Sequence, residues 1–159
     1  MTEVLMAVSL ALLIRLLVFE PVRVQGRSMM DTLRDKEVML VTKYDYLLGQ
    51  PGRFDVVTCR YPNRRQTFVK RIVGLPGDTL TIQDGVLSVN GVPCPEPHIT
   101  HRPRYTVEAY TVPAGHYYVL GDNRCNSNDS HLVGPLTRRQ IVGHVRAVVY
   151  PFRQRRMIR

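Results

Sequence analysis

Cysteine is scarce in this chain. Cys59, Cys94 and Cys125 are an odd number, at spacings that match neither a zinc site nor a CxxC redox pair. A disulfide-rich scaffold is not indicated, nothing selects a pair among the three, and reduced structural roles are expected. Tryptophan is missing altogether, which excludes no class of function. No HExxH or other metal-ligand spacing occurs, so no metal or other cofactor is expected. There is no G-x-S-x-G elbow, internal repeat or low-complexity segment. Acidic residues are also short in number: 13 Asp+Glu against 22 Lys+Arg leave a net charge of +9, which attracts polyanions. The basic residues are scattered, apart from Arg138-Arg139 and the tail from Arg153 to Arg159. No helix-turn-helix, zinc-finger or RNP signature accompanies them, so no nucleic-acid partner is expected. A solvated basic face is the simplest reading, and proximity to lipid headgroups is an alternative.

What is present begins with an apolar run. Val4 to Phe19 reads VLMAVSLALLIRLLVF, interrupted by Ser9 and by Arg15, whose long side chain would snorkel to an interface. It is short against the roughly 20 residues of a full span. A cleaved signal peptide is the rival, but the chain opens Met1-Thr2-Glu3 without a basic region, and no small-x-small site follows. The expectation is an uncleaved anchor over residues 1–20, the alternative a buried helix of a soluble domain. Arg15, Arg23 and Arg27 put positive charge on its C-terminal side, which by itself would place that side in the cytoplasm.

Beyond Pro21 the pattern changes to short β-branched runs. Glu37–Val41, Phe54–Thr58, Thr67–Val73, Thr79–Gln83, Val86–Val89, His116–Leu120 and Val142–Tyr150 read as strands. Asp84-Gly85 is a favoured type I′ hairpin pair, Asn90-Gly91 offers a second turn, and Thr137 would cap one helical turn. Pro93 to Pro113 is rich in proline and polar residues and reads as a surface excursion. The expected fold is mainly β: a compact antiparallel body forming one domain over residues 21–159, behind the N-terminal helix.

Three stretches carry reactive side chains among glycines: Gly26-Arg27-Ser28-Met29-Met30-Asp31-Thr32-Leu33, Lys70 to Asp78 (KRIVGLPGD), and Gly121 to Ser130 (GDNRCNSNDS). Singly, each has a plain explanation as a loop, an edge lysine or a polar turn. Together, in this order and behind an apolar segment, they resemble the type I signal peptidases, membrane-bound Ser-Lys peptidases of family S26. Arg53-Phe54-Asp55-Val56-Val57 resembles the family's G-D-I-V-V strand, and Tyr150-Pro151-Phe152 its closing Y-P-F. The short span between Asp78 and Gly121 resembles the compact Gram-positive forms; mitochondrial inner-membrane peptidases share the same boxes.

The chemistry of the residues agrees with that resemblance. A serine hydroxyl is a poor nucleophile until a base takes its proton. A lysine serves as that base only where burial disfavours its charge. In a strand, Lys70 shares a face with Phe68 and Ile72, which is apolar, while Arg71 points the other way. The resemblance implies that Ser28 is the nucleophile and Lys70 the general base. It further implies that Ser127 orients the lysine and that the Ser28 N–H contributes to the oxyanion hole. By the same resemblance Arg71 pairs with Asp122 or Asp129 as scaffold, and Met29 either lines the substrate cleft or packs. Gly26 occupies the position where some members carry an oxyanion hydroxyl, so a second donor must come from elsewhere.

The implied function is removal of signal peptides after Ala-x-Ala-like sites, the pre-protein adding as a strand beside the β body. The implied location is the plasma membrane, by a single pass, with the catalytic body outside the cytoplasm. Partners would be pre-proteins and phospholipid. Two departures stand out: Asp31 replaces the usual proline, which would leave the loop less rigid, and His131 replaces an arginine, which would weaken pairing with Asp129. Three rivals remain. A Ser-His-Asp hydrolase would draw on His98, His101, His116, His131 or His144. A LexA-type self-cleaving repressor lacks its DNA-binding domain here. A membrane-tethered signal-peptide binder would retain pre-protein without cutting it.

Overall fold

The computed structural model describes residues 2–158, without the side chains at positions 11 and 13–18. Helix α1 covers Thr2–Val18. It stops there because the next residues form strand β1 (Phe19–Arg23), which pairs antiparallel with β2 (Val38–Thr42), Phe19 opposite Thr42 and Arg23 opposite Val38. Phe19 and Glu20, at the end of the segment expected as an anchor over residues 1–20, thus belong to β1. At about 1.5 Å per residue, 17 residues reach roughly 26 Å, against an apolar bilayer core of about 30 Å. Among the described residues no helix is long and apolar enough to cross a membrane. The expectation for the Arg15 side chain lies outside the described residues.

The body is mainly antiparallel β, as its short β-branched runs require. Strands β3 (Val56–Arg60), β4 (Thr67–Gly74), β9 (His116–Leu120), β10 (Leu136–Thr137) and β11 (Ile141–Tyr150) join β1 and β2 in one sheet of order β1-β2-β11-β3-β4-β9-β10. Strand β12 (Arg156–Met157) adds to β11. A second sheet has the order β7-β6-β5-β8, from β5 (Thr79–Gln83), β6 (Val86–Val89), β7 (Val92–Pro93) and β8 (Val107–Thr111). Asp84 and Gly85 both take positive φ, 50° and 74°, as the tight β5–β6 hairpin demands. Strand β8 corrects the expected excursion: Pro93 to Pro113 returns to the body and pairs with β5, Thr111 opposite Thr79.

Two short helices, α2 (Asp45–Leu48) and α3 (Ser130–Val133), and 3₁₀ turns at Arg138–Gln140 and Phe152–Gln154 complete the chain. The turn expected after Thr137 is present, with Gln140 Oε1 accepting from the Thr137 N–H.

Strand alternation divides the large sheet into two apolar faces. Val57, Cys59, Ile72 and Val119 lie on one, and Met39, Val41, Val56 and Val145 on the other. A third cluster unites the sheets, because Val73, Tyr118 and Leu120 of the large sheet pack with Leu80, Ile82, Leu87 and Val112. This shared core favours folding as one unit. Leu80→Ala, at a side chain with 1% exposure, is expected to destabilise the protein by about 2–4 kcal/mol. Denaturant unfolding followed by two probes should show one transition moved as a whole, and a split transition would mean two separate units.

Candidate active site

The site is built on a cation that the strand turns away from its neighbour. Arg71 in β4 is 1% exposed, and its guanidinium meets Asp122, itself fully buried, through two arms: Nε to Oδ1 at 3.0 Å and Nη2 to Oδ2 at 2.8 Å. Its Nη1 donates to the Phe54 carbonyl at 2.8 Å, a carbonyl presented by a residue with φ of 72°. Thr32 Oγ1 donates to Asp122 Oδ2 and accepts from Arg71 Nη2 at 3.3 Å. One ion pair thus ties β4, the turn before β3, the loop after β9 and the Ser28 loop together. Of the two carboxylates named for Arg71, Asp122 is the one held in this fork.

Lys70 faces the other way. Its side chain is 1% exposed, and it sits opposite Val57 on the face that carries Cys59 and Ile72. Nζ donates to Ser127 Oγ at 2.9 Å. Burial disfavours its charge and brings its pKa below the usual lysine value, although the negative charge of Asp129 works against that. Burial likewise pushes the Cys59 thiol up to about 12, so Cys59 stays a protonated, apolar-like neighbour.

Gly121 shows how closely the three stretches meet. A Cβ there would lie 2.2 Å from Ser127 Oγ and 2.5 Å from the Ser28 carbonyl oxygen. Only glycine leaves room for Ser28 and Ser127 to flank the same point. Asn123 fastens the Ser28 loop from that side, donating its N–H to the Ser28 carbonyl at 3.0 Å and Nδ2 to the Arg27 carbonyl at 3.1 Å. Ser28, half-buried, thus has its carbonyl on one side of Gly121, and Ser127, which accepts from Lys70 Nζ, stands on the other. Neither Gly121 nor Asn123 stood out in the sequence, although both lie in the GDNR segment. A third such residue is Arg124, fully buried, which joins Glu96 of the excursion and donates Nε to the Gly121 carbonyl at 3.1 Å.

Beside Ser28 runs a cleft of about 360 Å³, walled by Val22 to Gly26 and by Gln66 to Val69. Met29 lies on its wall and yet is 2% exposed, packed with Val24, Leu33 and Met39, so the two roles considered for it coexist in space. The Gly26 N–H is engaged by Asp35 Oδ1 at 2.9 Å.

The two departures are both tied down. Asp31 has φ of 91°, which proline does not adopt, and its carboxylate accepts from Thr100 of the excursion. Asp129 Oδ2 accepts from the Gly121 N–H at 2.9 Å, and Oδ1 lies 2.5 Å from His131 Nδ1. The other histidines have partners of their own. His144 stacks on Tyr46 and His98 packs on Phe54, where burial lowers its pKa to about 4 and keeps it neutral at pH 7. His101 contacts Thr100, and His116 bonds to the Ala114 carbonyl. Among the described residues no group of His, Cys, Asp and Glu forms a metal site.

Residues 1–150 match the family model described as signal peptidase, peptidase S26. A protein named probable signal peptidase I-1 from Synechocystis is 36% identical over 155 residues, covering 92% of this chain and 79% of its own length. Signal peptidase I T of Bacillus subtilis is 36% identical over 164 residues, covering 96% of this chain and 85% of its own. The crystal structure of a signal peptidase I from Enterococcus faecalis superposes with a TM-score of 0.52 at 33% identity, over 60% of this chain and 97% of that one.

A buried lysine held below its usual value costs stability. Between its pKa in the fold and 10.5, the unfolded chain binds a proton that the folded chain does not, so stability rises with pH across that window. Lys70→Met removes this cost. The variant is expected to melt above the wild type at pH 7, with the gap narrowing as pH approaches 10.5, read by thermal unfolding. A variant that melts lower at every pH would contradict the account of Lys70 burial.

Proposed function

The chain belongs to the signal peptidase family, peptidase S26, hydrolases that remove signal peptides, and on that premise we propose that Ser28 is its nucleophile and Lys70 its general base. The observation that carries this reading is a buried lysine hydrogen-bonded to Ser127, with Ser28 and Ser127 meeting across Gly121. Desolvation favours the neutral form of Lys70, whose lone pair would take the Ser28 proton. Ser127 fixes the ammonium group's direction. As Ser28 Oγ attacks the scissile carbonyl, negative charge moves onto the carbonyl oxygen, where the Ser28 N–H is the donor proposed here. Lys70 then returns its proton to the leaving amine, and a water activated by the same lysine hydrolyses the acyl-enzyme. The Gly26 N–H is already committed to Asp35, which is why a second oxyanion donor is sought outside that residue.

The substrate on this reading is an extended pre-protein segment cut after an Ala-x-Ala-like site. The cleft beside Ser28 has extended backbone on both walls, and β1 is the edge of its sheet, a natural template for an added strand. Val24, Met29, Phe68 and Val69 line it with apolar surface suited to small side chains. The membrane reading is proposed in the same spirit. Val4, Leu5, Met6, Val8, Leu10 and Leu12 of α1 are each more than half exposed, an apolar surface that calls for lipid. Attachment by α1 to the plasma membrane, with the catalytic body on the extracytoplasmic side, would bring the cleft to signal peptides as they emerge.

Detergent-solubilised protein is expected to cleave a pre-protein bearing an Ala-x-Ala site, at a rate that rises with pH as Lys70 deprotonates. Ser28→Ala and Lys70→Met should each lower kcat/KM by at least about 10³-fold. Ser127→Ala should lose roughly 10- to 100-fold, since it orients the base without reacting. Protein that binds the pre-protein yet never releases a mature product would instead favour a tethered binder.

A further inference from the structure

His131 lies beside the Ser127 loop and is linked to it through Asp129. It lies in α3, immediately after Ser130, with both its backbone N–H and its ring Nδ1 turned toward Asp129. The ring lies flat against Tyr105 of the excursion, centroids 4.0 Å apart and planes within 2°. That stacking restrains ring rotation and keeps Nδ1 on the carboxylate, 2.5 Å from Oδ1. Asp129 is fully buried, and its other oxygen holds the Gly121 N–H, the residue wedged between Ser28 and Ser127. Among the charges around Lys70, Asp129 contributes most toward keeping the ammonium protonated. Residue 131, Asp129 and Lys70 therefore form a series with the carboxylate in the middle.

The other ionisable groups around this series are largely accounted for. Arg124 is joined to Glu96, and Arg71 to Asp122. Burial holds the Cys59 thiol and the Tyr61, Tyr105 and Tyr118 hydroxyls in their neutral forms. Arg104 shares with Tyr105, Ser127 and His131 an open cavity of about 510 Å³.

We propose that His131 is a positioning residue for the general base: acting through Asp129, the charge at position 131 governs the pH at which Lys70 gives up its proton. The proposal rests on the reading of Lys70 as base. A donor to Asp129 is needed at position 131 to hold the carboxylate on the Gly121 N–H. A positive charge there, in addition, weakens the pull of Asp129 on the lysine proton, so the neutral, reactive lysine forms at lower pH. A neutral histidine supplies the donor alone, and a protonated one supplies both.

The test compares acid limbs of the kcat/KM profile, which report the free enzyme's essential base. The full chain in detergent would be assayed on one Ala-x-Ala pre-protein as wild type, His131→Gln and His131→Arg, with thermal midpoints to show that each variant folds. Gln keeps a donor without charge, and Arg keeps a donor with permanent charge. The His131→Arg limb is expected to lie about one pH unit below that of His131→Gln, with the wild type at or between them. Should either variant fail to fold, His131→Asn and His131→Lys repeat the comparison. Coincident limbs, or an arginine limb above the glutamine limb, overturn the proposal while leaving a Lys70-dependent enzyme intact. Acid limbs that persist in Lys70→Met overturn the underlying reading of the base as well.

Discussion

The buried pair of Arg71 and Asp122 is the constraint from which the rest of the site follows. A guanidinium and a carboxylate withdrawn from water are tolerated only when each hydrogen-bonding direction is met. Here the fork to Asp122, the Phe54 carbonyl and the Thr32 hydroxyl meet them. The requirement works in reverse on the chain. Phe54 must take a left-handed backbone to present its carbonyl, Thr32 must bring the Ser28 loop inward, and the segment after β9 must deliver Asp122 to the strand. A pair of this kind adds little net stability, but breaking it would strand a buried charge, so it fixes one geometry against others.

The same strand that pairs Arg71 leaves its neighbour Lys70 with no such fork. Adjacent residues of β4 point to opposite faces. One cation receives a bidentate carboxylate, and the other receives apolar walls and a single serine hydroxyl. The difference between the surroundings of Arg71 and those of Lys70 is thus a consequence of strand periodicity rather than of residue type alone. Family membership shows the class of reaction; this alternation is the physical means by which the lysine proposed as base is kept from an ion pair like that of Arg71.

The excursion between β7 and β8 performs a task that its composition conceals. It returns as β8 to complete the second sheet, and on the way Glu96 meets Arg124, Thr100 meets Asp31, and Tyr105 stacks on His131. Each contact lands on one of the two loops that carry Ser28 and Ser127. Asp31 and His131, the two positions that differ from the motifs this chain resembles, are both among those the excursion touches. Proline at 31 could not adopt the observed φ of 91°, and the Thr100 contact stands where ring rigidity would have been expected.

Much of this protein was legible before any coordinates. Hydrophobic periodicity and turn residues are local properties, so the β character, the Asp84-Gly85 hairpin and the apolar face around Lys70 followed from spacing alone. The order of the three glycine-rich stretches was enough to name the family. Strand β8 was hidden because its ladder partner lies far away in sequence, and pairing over such a separation leaves no local signal. The end of the first helix is not legible for a related reason: Phe19 closes the apolar run, yet pairing of Phe19 and Glu20 with Thr42 and Val41 draws both into a sheet. Gly121, Asn123 and Arg124 looked like turn residues, and only the approach of Ser28 to Ser127 gives them their place. By itself, then, the sequence determined the β character of the body and which reactive side chains exist. The tertiary structure decided which carboxylate Arg71 takes, what stands beside Lys70 and what holds Asp31 and His131, because these depend on contacts between segments that only packing brings together.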